Sequence, residues 1–139
     1  MNKQDKQLLL KDLYGRSPYG VKCCVRNNHK LCGNLVGIVG ENIYIFSSGC
    51  STFNISVIIP YLFPLSSMIE EQKEELKNLG WNFDNFEIHN VSECLGTYRE
   101  YVAHSDCFAL IDWLNKNHFD YRGLIPKGLA IDATGLNIY

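Results

Sequence analysis

Leu9, Leu10 and Leu13 recur at spacings of three and four within residues 3–13, with Lys3, Gln4, Gln7 and Lys11 on the intervening positions. That pattern predicts a helix with one apolar stripe. Gly15 reads as its left-handed stop, and Ser17-Pro18-Tyr19-Gly20 as a turn. The period then changes. Residues 21–26 are a β-prone run ending in Asn27-Asn28, residues that tolerate the positive φ of a tight hairpin. Residues 31–39 predict a second strand, whose Gly33 and Gly37 mark curvature or a bulge. Gly40-Glu41-Asn42 is a turn, residues 43–46 a third strand, and residues 52–59 a fourth that ends at Pro60. Pro60 and Pro64 bracket Tyr61-Leu62-Phe63 as an extended connector across the core.

A second helix is expected from Ser67 to residue 79, with Ser67-Met68-Ile69-Glu70 in the form of a capping box and Gly80 just past its end. Ile69, Leu76 and Leu79 share a face, while Glu70, Glu71, Lys73, Glu74, Glu75 and Lys77 point outward. Residues 81–103 are less regular: Trp81, Phe83, Phe86 and Ile88 suggest aromatic anchors around one short strand at 85–89. A third helix spans residues 106–117, with Ser105 as N-cap and Cys107, Leu110, Ile111, Leu114 and His118 on one face. The order of elements predicts a single α+β domain over residues 1–139. It has an N-terminal helix, a curved antiparallel sheet or small barrel of four to five strands, then two helices packed on it.

Composition narrows this little. The 139 residues are 46% apolar and 20% charged, which excludes a disordered or fibrous chain. The absence of a long uncharged apolar run argues against a membrane span or signal peptide, and the expected location is cytoplasmic. Charge changes the picture more. Residues 1–30 hold seven basic and two acidic side chains, residues 31–66 only Glu41, and residues 67–139 six basic and twelve acidic ones. The basic first segment makes Lys22, Arg26 and Lys30 candidate nucleic-acid contacts. Against that stands a pI near 6.0.

Residues 59–139 contain PYLFPLSSM, EEQKEEL, GWNFDNFEIHN, REYVAHSDCFALIDWLN and DYRGLIPKGLA. These segments resemble a family of small proteins of Bacteroides-type gut bacteria, often encoded in prophages or other mobile DNA. The resemblance implies an accessory protein of a mobile element, and the family has no assigned activity to transfer. Threonine is usual in that family where this chain has Ile69, a departure that would move the capping role to Ser67.

Six cysteines without a secretory signal read as reduced thiols, and no CxxC or HxxxH spacing supports structural zinc. The one local constellation for chemistry is His104-Ser105-Asp106-Cys107. With Ser105 as cap, Cys107 would sit in the first turn, where the helix dipole favours a thiolate and His104 is placed as its base. Asp106 beside the thiol, and the apolar stripe that Cys107 begins, favour a buried structural cysteine instead. His118 extends that stripe as a helix C-terminal cap, and His29 lies at a hairpin tip. The Walker, GxGxxG, GxSxG and HExxH motifs are all missing, so no cofactor is implied. The leading expectation is a non-enzymatic module that binds a protein partner or itself. Nucleic-acid binding through the basic N-terminal segment and a cysteine enzyme centred on Cys107 are the alternatives.

Overall fold

The computed structural model describes residues 1–84, 87–90 and 102–139. Helix α1 (Lys3–Arg16) starts at Asn2, whose side chain accepts from the Asp5 amide at 2.7 Å. It runs three residues past the expected end, so Gly15 lies inside it. A Cβ there would stand 3.1 Å from the Asn115 side chain, so glycine allows close approach of a later helix. The left-handed stop is Gly20, at φ 65°, after a 3-10 turn over Ser17–Tyr19.

Strands β1 (Lys22–Val25), β2 (Asn28–Val39), β3 (Asn42–Phe46) and β4 (Cys50–Asn54) form an antiparallel meander. Gly33 is required by packing: a Cβ there would fall 2.6 Å from the Phe46 carbonyl oxygen. The register of β2 on β3 shifts between Leu35 and Gly37, a bulge at Val36.

The expected fourth strand is two elements. Asn54 bonds the Ser56 amide at 3.0 Å and starts a 3-10 turn, Ile55–Val57, that separates β4 from β5 (Ile58–Pro64). The proline-bracketed connector is therefore an interior strand of the sheet. It pairs antiparallel with β1, then parallel with β8 (Phe119–Asp120) and β9 (Ile131–Asp132). Pro60 is tolerated because of parity. Arg26 N–H donates to Val57 C=O at 2.8 Å, so Cys24–Ile59 is the next bonded pair and Cys23–Pro60 a non-bonded one. No ladder bond to β1 needs the missing N–H of Pro60.

The result is a mixed seven-stranded sheet, and among the described residues no pairing joins β4 to β8, so it is open rather than a barrel. A separate hairpin, β6 (Trp81–Asp84) and β7 (Glu87–Asn90), replaces the single strand expected at 85–89.

Helices α2 (Glu70–Asn78) and α3 (Val102–Lys116) also depart from expectation at their starts. Ile69 occupies the N-cap of α2, and a hydrocarbon side chain accepts nothing. Only half of a capping box exists, the Gln72 Oε1 accepting from the Ile69 amide at 3.0 Å. Ser67 does not cap; its hydroxyl donates to the Pro64 carbonyl at 2.7 Å. Helix α3 already includes Ser105, which therefore lies inside it.

Leu9 and Leu13 of α1 pack with Val21, Cys23, Leu35, Ile43, Ile45 and Leu62 on one face of the sheet. A second core gathers Met68, Leu76, Trp81, Trp113, Leu114 and Phe119. So α2 and α3 pack on each other, on the hairpin and on β8, rather than across the antiparallel sheet. Glu75, expected in solvent, accepts from Trp113 Nε1 at 2.9 Å and joins the two helices.

Between the cores lies a fully buried ion pair. Arg16 Nε and Nη2 donate to the two carboxylate oxygens of Asp12 at 2.6 and 3.0 Å, and Nη2 also reaches the Phe119 carbonyl at 2.7 Å. Arg122 Nε stands 3.4 Å from Asp12 Oδ1. Desolvating two charges costs several kcal/mol each, so the pair adds little net stability, but removing one partner strands the other.

Asp12→Ala is therefore expected to destabilise by about 3–5 kcal/mol, read by urea unfolding. Ile69→Thr supplies the missing acceptor at an exposed position and should stabilise by about 0.5–1 kcal/mol in the same assay.

Candidate functional site

The face of the sheet opposite α1 carries its own buried cluster: Cys24, Ile59, Tyr61 and Ala133, with Cys32, Phe63 and Ile138 against it. Alternation along the strands puts these residues there and sends Cys23 to the other side. Beside the cluster opens a cleft of about 470 Å³, lined in part by Lys22, Cys32, Asn34, Phe46, Tyr61 and Ile138.

Asn137 and Ile138 form one wall, and Tyr139 anchors the segment that carries them. The Tyr139 hydroxyl accepts from the Lys22 amide at 2.9 Å and donates to the Tyr61 carbonyl at 2.8 Å. Its ring stacks on His118, with centroids 3.8 Å apart and planes 13° from parallel. His118 holds this place through an uncommon backbone, φ 60°, which ends α3 in the left-handed region. It caps through its main chain, its amide donating to the Asn115 carbonyl at 3.1 Å. Burial, reinforced by the Arg16 charge, pushes the imidazole down to about 4, so the ring is neutral near pH 7.

Inside the cleft the lining is mixed, with Lys22, Asn34, Ser47 and Asn137 beside Phe46 and Ile138. Tyr61 Oη lies 3.6 Å from Cys32 Sγ, and Cys32 Sγ donates to the His29 carbonyl at 2.7 Å. Burial raises the pKa of the Tyr61 hydroxyl, and its hydrogen bonds to Cys24 and Cys32 act in the same direction. Burial likewise raises the Cys24 thiol. Lys22 is the one cation among the lining residues. The set offers hydrogen bonding and one positive charge; an activated nucleophile with its base is absent from it. Among the described residues, no group of three or more His, Cys, Asp or Glu side chains is placed to hold a metal.

The basic candidates do not converge. Lys22 lines the cleft, Arg26 a second cavity beside Lys127 and Gly128, and Lys30 a third beside Leu31 and Phe53. Arg26 is engaged internally, donating to the Gly128 carbonyl at 2.9 Å. His29, placed at a hairpin tip by its sequence, bonds the Arg26 carbonyl through Nε2 at 3.0 Å.

Cys107 is exposed rather than buried. It lies in the interior of α3, not the first turn, so the N-terminal amides invoked for its thiolate are not beside it. The His104 side chain lies outside the described residues. The buried stripe of α3 is Trp113 and Leu114 with Leu110 partly buried, while Ile111 is exposed. Trp81 belongs to the second core, with Phe83 packed against it; Phe86 lies outside the described residues.

Sequence reasoning missed Cys32, Asn34 and Tyr61 as cleft residues, and Tyr139 as the anchor of its wall. Only Cys32 had a signal, its position a few residues beyond a hairpin that also holds Cys24. Compared with protein-family models, curated proteins and solved structures, the chain matches none. No helix among the described residues is long and apolar enough to cross a membrane.

The neutral His118 predicts a pH dependence. Its ordinary value of 6.5 applies unfolded and about 4 folded, so between these the unfolded chain binds the extra proton. Stability should fall as pH drops from 6.5 toward 4 and be level above that window. His118→Asn, which tolerates the left-handed backbone, should lose less stability between pH 7 and 5, as read by urea midpoints.

Proposed function

We propose that this chain is a non-enzymatic protein-interaction module whose partner adds an extended segment to the free edge of the sheet. The observation that carries the reading is β4. It ends the strand order, and none of the other described strands pairs with its outer side. Natural edges are blunted with charge or proline, yet Cys-Ser-Thr-Phe-Asn has neither. The Ile55 amide donates to the Glu41 carbonyl at 2.8 Å, which makes Phe53 and Ser51 the residues bonded to β3. The backbone groups of Thr52 therefore point outward.

The neighbouring surface fits such a partner. Phe46, on the adjacent strand β3, is 48% exposed and gives an apolar patch beside the edge, in a stretch whose only charge is Glu41. A strand laid on β4 would gain main-chain bonds from the edge and side-chain contacts from this patch. The resemblance over residues 59–139 would make the module an accessory protein of a mobile element, with a partner from the same element or its host. Nucleic-acid binding has weaker support, because Lys22, Arg26 and Lys30 line three separate cavities.

Thr52→Pro removes an outward N–H and no bond to β3, so it should leave the fold intact by circular dichroism. Peptides selected from a random display library on the native chain should bind at least tenfold more weakly to Thr52→Pro. Equal binding to both proteins would overturn the reading. Concentration-dependent dimerisation abolished by Thr52→Pro would identify the partner as a second copy.

A further inference from the structure

Cys24 and Cys32 face each other across the first hairpin, as direct Cα partners of β1 and β2. The kind of pair they form follows from one hydrogen bond. The Leu35 amide donates to the Val21 carbonyl at 2.9 Å, so Val21–Leu35 and Cys23–Gly33 are bonded pairs. Cys24–Cys32 is then a non-hydrogen-bonded pair, the type in which Cα atoms approach to about 4.5 Å and side chains lie closest. That separation is inside the range of about 4.4–6.8 Å that a disulfide spans. Both side chains belong to one packed cluster on the same face of the sheet.

We propose that Cys24 and Cys32 are a redox site, closed to a reversible cross-strand disulfide by small-molecule disulfides of the glutathione class. Access and reserve are divided between the two. Cys32 is half-buried and lines the cleft, whereas Cys24, beside it on β1, is fully buried. Cys32, as thiolate, attacks one sulfur of the reagent, breaking its S–S bond and releasing one thiolate. Cys24 gives up its proton to solvent and attacks the Cys32 sulfur, which breaks the mixed disulfide and releases the second thiolate. Two protein thiols are oxidised, one reagent disulfide is reduced, and the two protons end on the released thiolates.

The site has a readout in its surroundings. In the reduced protein Cys32 Sγ donates to the His29 carbonyl and touches the Tyr61 hydroxyl. Oxidation removes that proton, so the His29 carbonyl loses a partner and Tyr61 an acceptor or donor. The change falls at the cleft and at the extra residues that β2 carries opposite Cys24 and Val25. It is independent of the edge-strand reading, since the pair belongs to β1 and β2 and uses no backbone group of β4.

The native chain is incubated with oxidised glutathione, alkylated, and mapped by mass spectrometry. The expected result is loss of both Cys24 and Cys32 from the alkylated pool and a cross-link between residues 23–26 and the peptide beginning at Leu31. A dithiol should reverse it. Cys24→Ser should abolish the link and leave glutathione held on Cys32, while Cys32→Ser should protect Cys24 from any modification in the folded state. Cys50→Ser and Cys107→Ser, at exposed positions, should leave the link intact. Circular dichroism checks each variant, and the half-buried Cys32→Ser is the control if buried Cys24→Ser unfolds. Recovery of Cys24 and Cys32 as free thiols, glutathione persisting on Cys32 of the native sequence, or a link that survives Cys24→Ser would each overturn the proposal.

Discussion

Asp12 and Arg16 sit one helical turn apart and are both fully buried, in a place where neither could stand alone. An isolated charge there would carry a desolvation penalty of several kcal/mol, so the pair constrains everything around it. The guanidinium spans the carboxylate and the Phe119 carbonyl, which fixes α1 against β8. Arg122 approaches the same carboxylate, and both guanidiniums lie over the Tyr121 ring, at 5.4 and 4.8 Å from its centroid. Tyr121 in turn donates to the buried Asn115 of α3. Through this polar knot the two hydrophobic cores are held in one arrangement. Burial, with the Arg16 charge adding to it, keeps the neighbouring His118 imidazole neutral.

Strand β5 is the other organiser. Its consecutive residues serve opposite edges, Phe63 donating to the His118 carbonyl while the Leu62 carbonyl accepts from Ala133. The strand thus joins an antiparallel meander, built from local hairpins, to two parallel partners supplied from far along the chain. The cleft lies where these contributions meet, with a floor from the meander and a wall from the segment that Tyr139 pins. The β4 edge and the Cys24–Cys32 pair belong to the local half alone.

The local half was legible in the sequence, because hairpins and amphipathic helices are written in spacings of a few residues. Residues 21–26, 31–39 and 43–46 fell close to their observed strands for that reason, and the glycines within β2 marked a bulge and a close backbone approach. Pro60 misled, since proline is read as a strand end unless the parity of its neighbours is known. Ser67 and Ser105 misled in the same way, as capping residues whose helices begin elsewhere. Tyr61 and Tyr139 carry no local signal, and their role depends on pairings across most of the chain. Cys24 opposite Cys32 depends on a register that slips by several residues just beyond the turn, something no hairpin rule supplies.

The bond from Arg16 to Phe119 joins residues 103 apart, and that from Tyr139 to Lys22 residues 117 apart. During synthesis the N-terminal helix and the meander leave the ribosome long before either bond has a partner. For that interval α1 carries its Asp12–Arg16 pair with no Phe119 carbonyl to meet, and the edge of β5 that later receives β9 is bare. Closing such long loops is slow compared with forming the hairpins that precede them. The contacts that complete the sheet and fasten the cleft wall are thus the last that synthesis makes available.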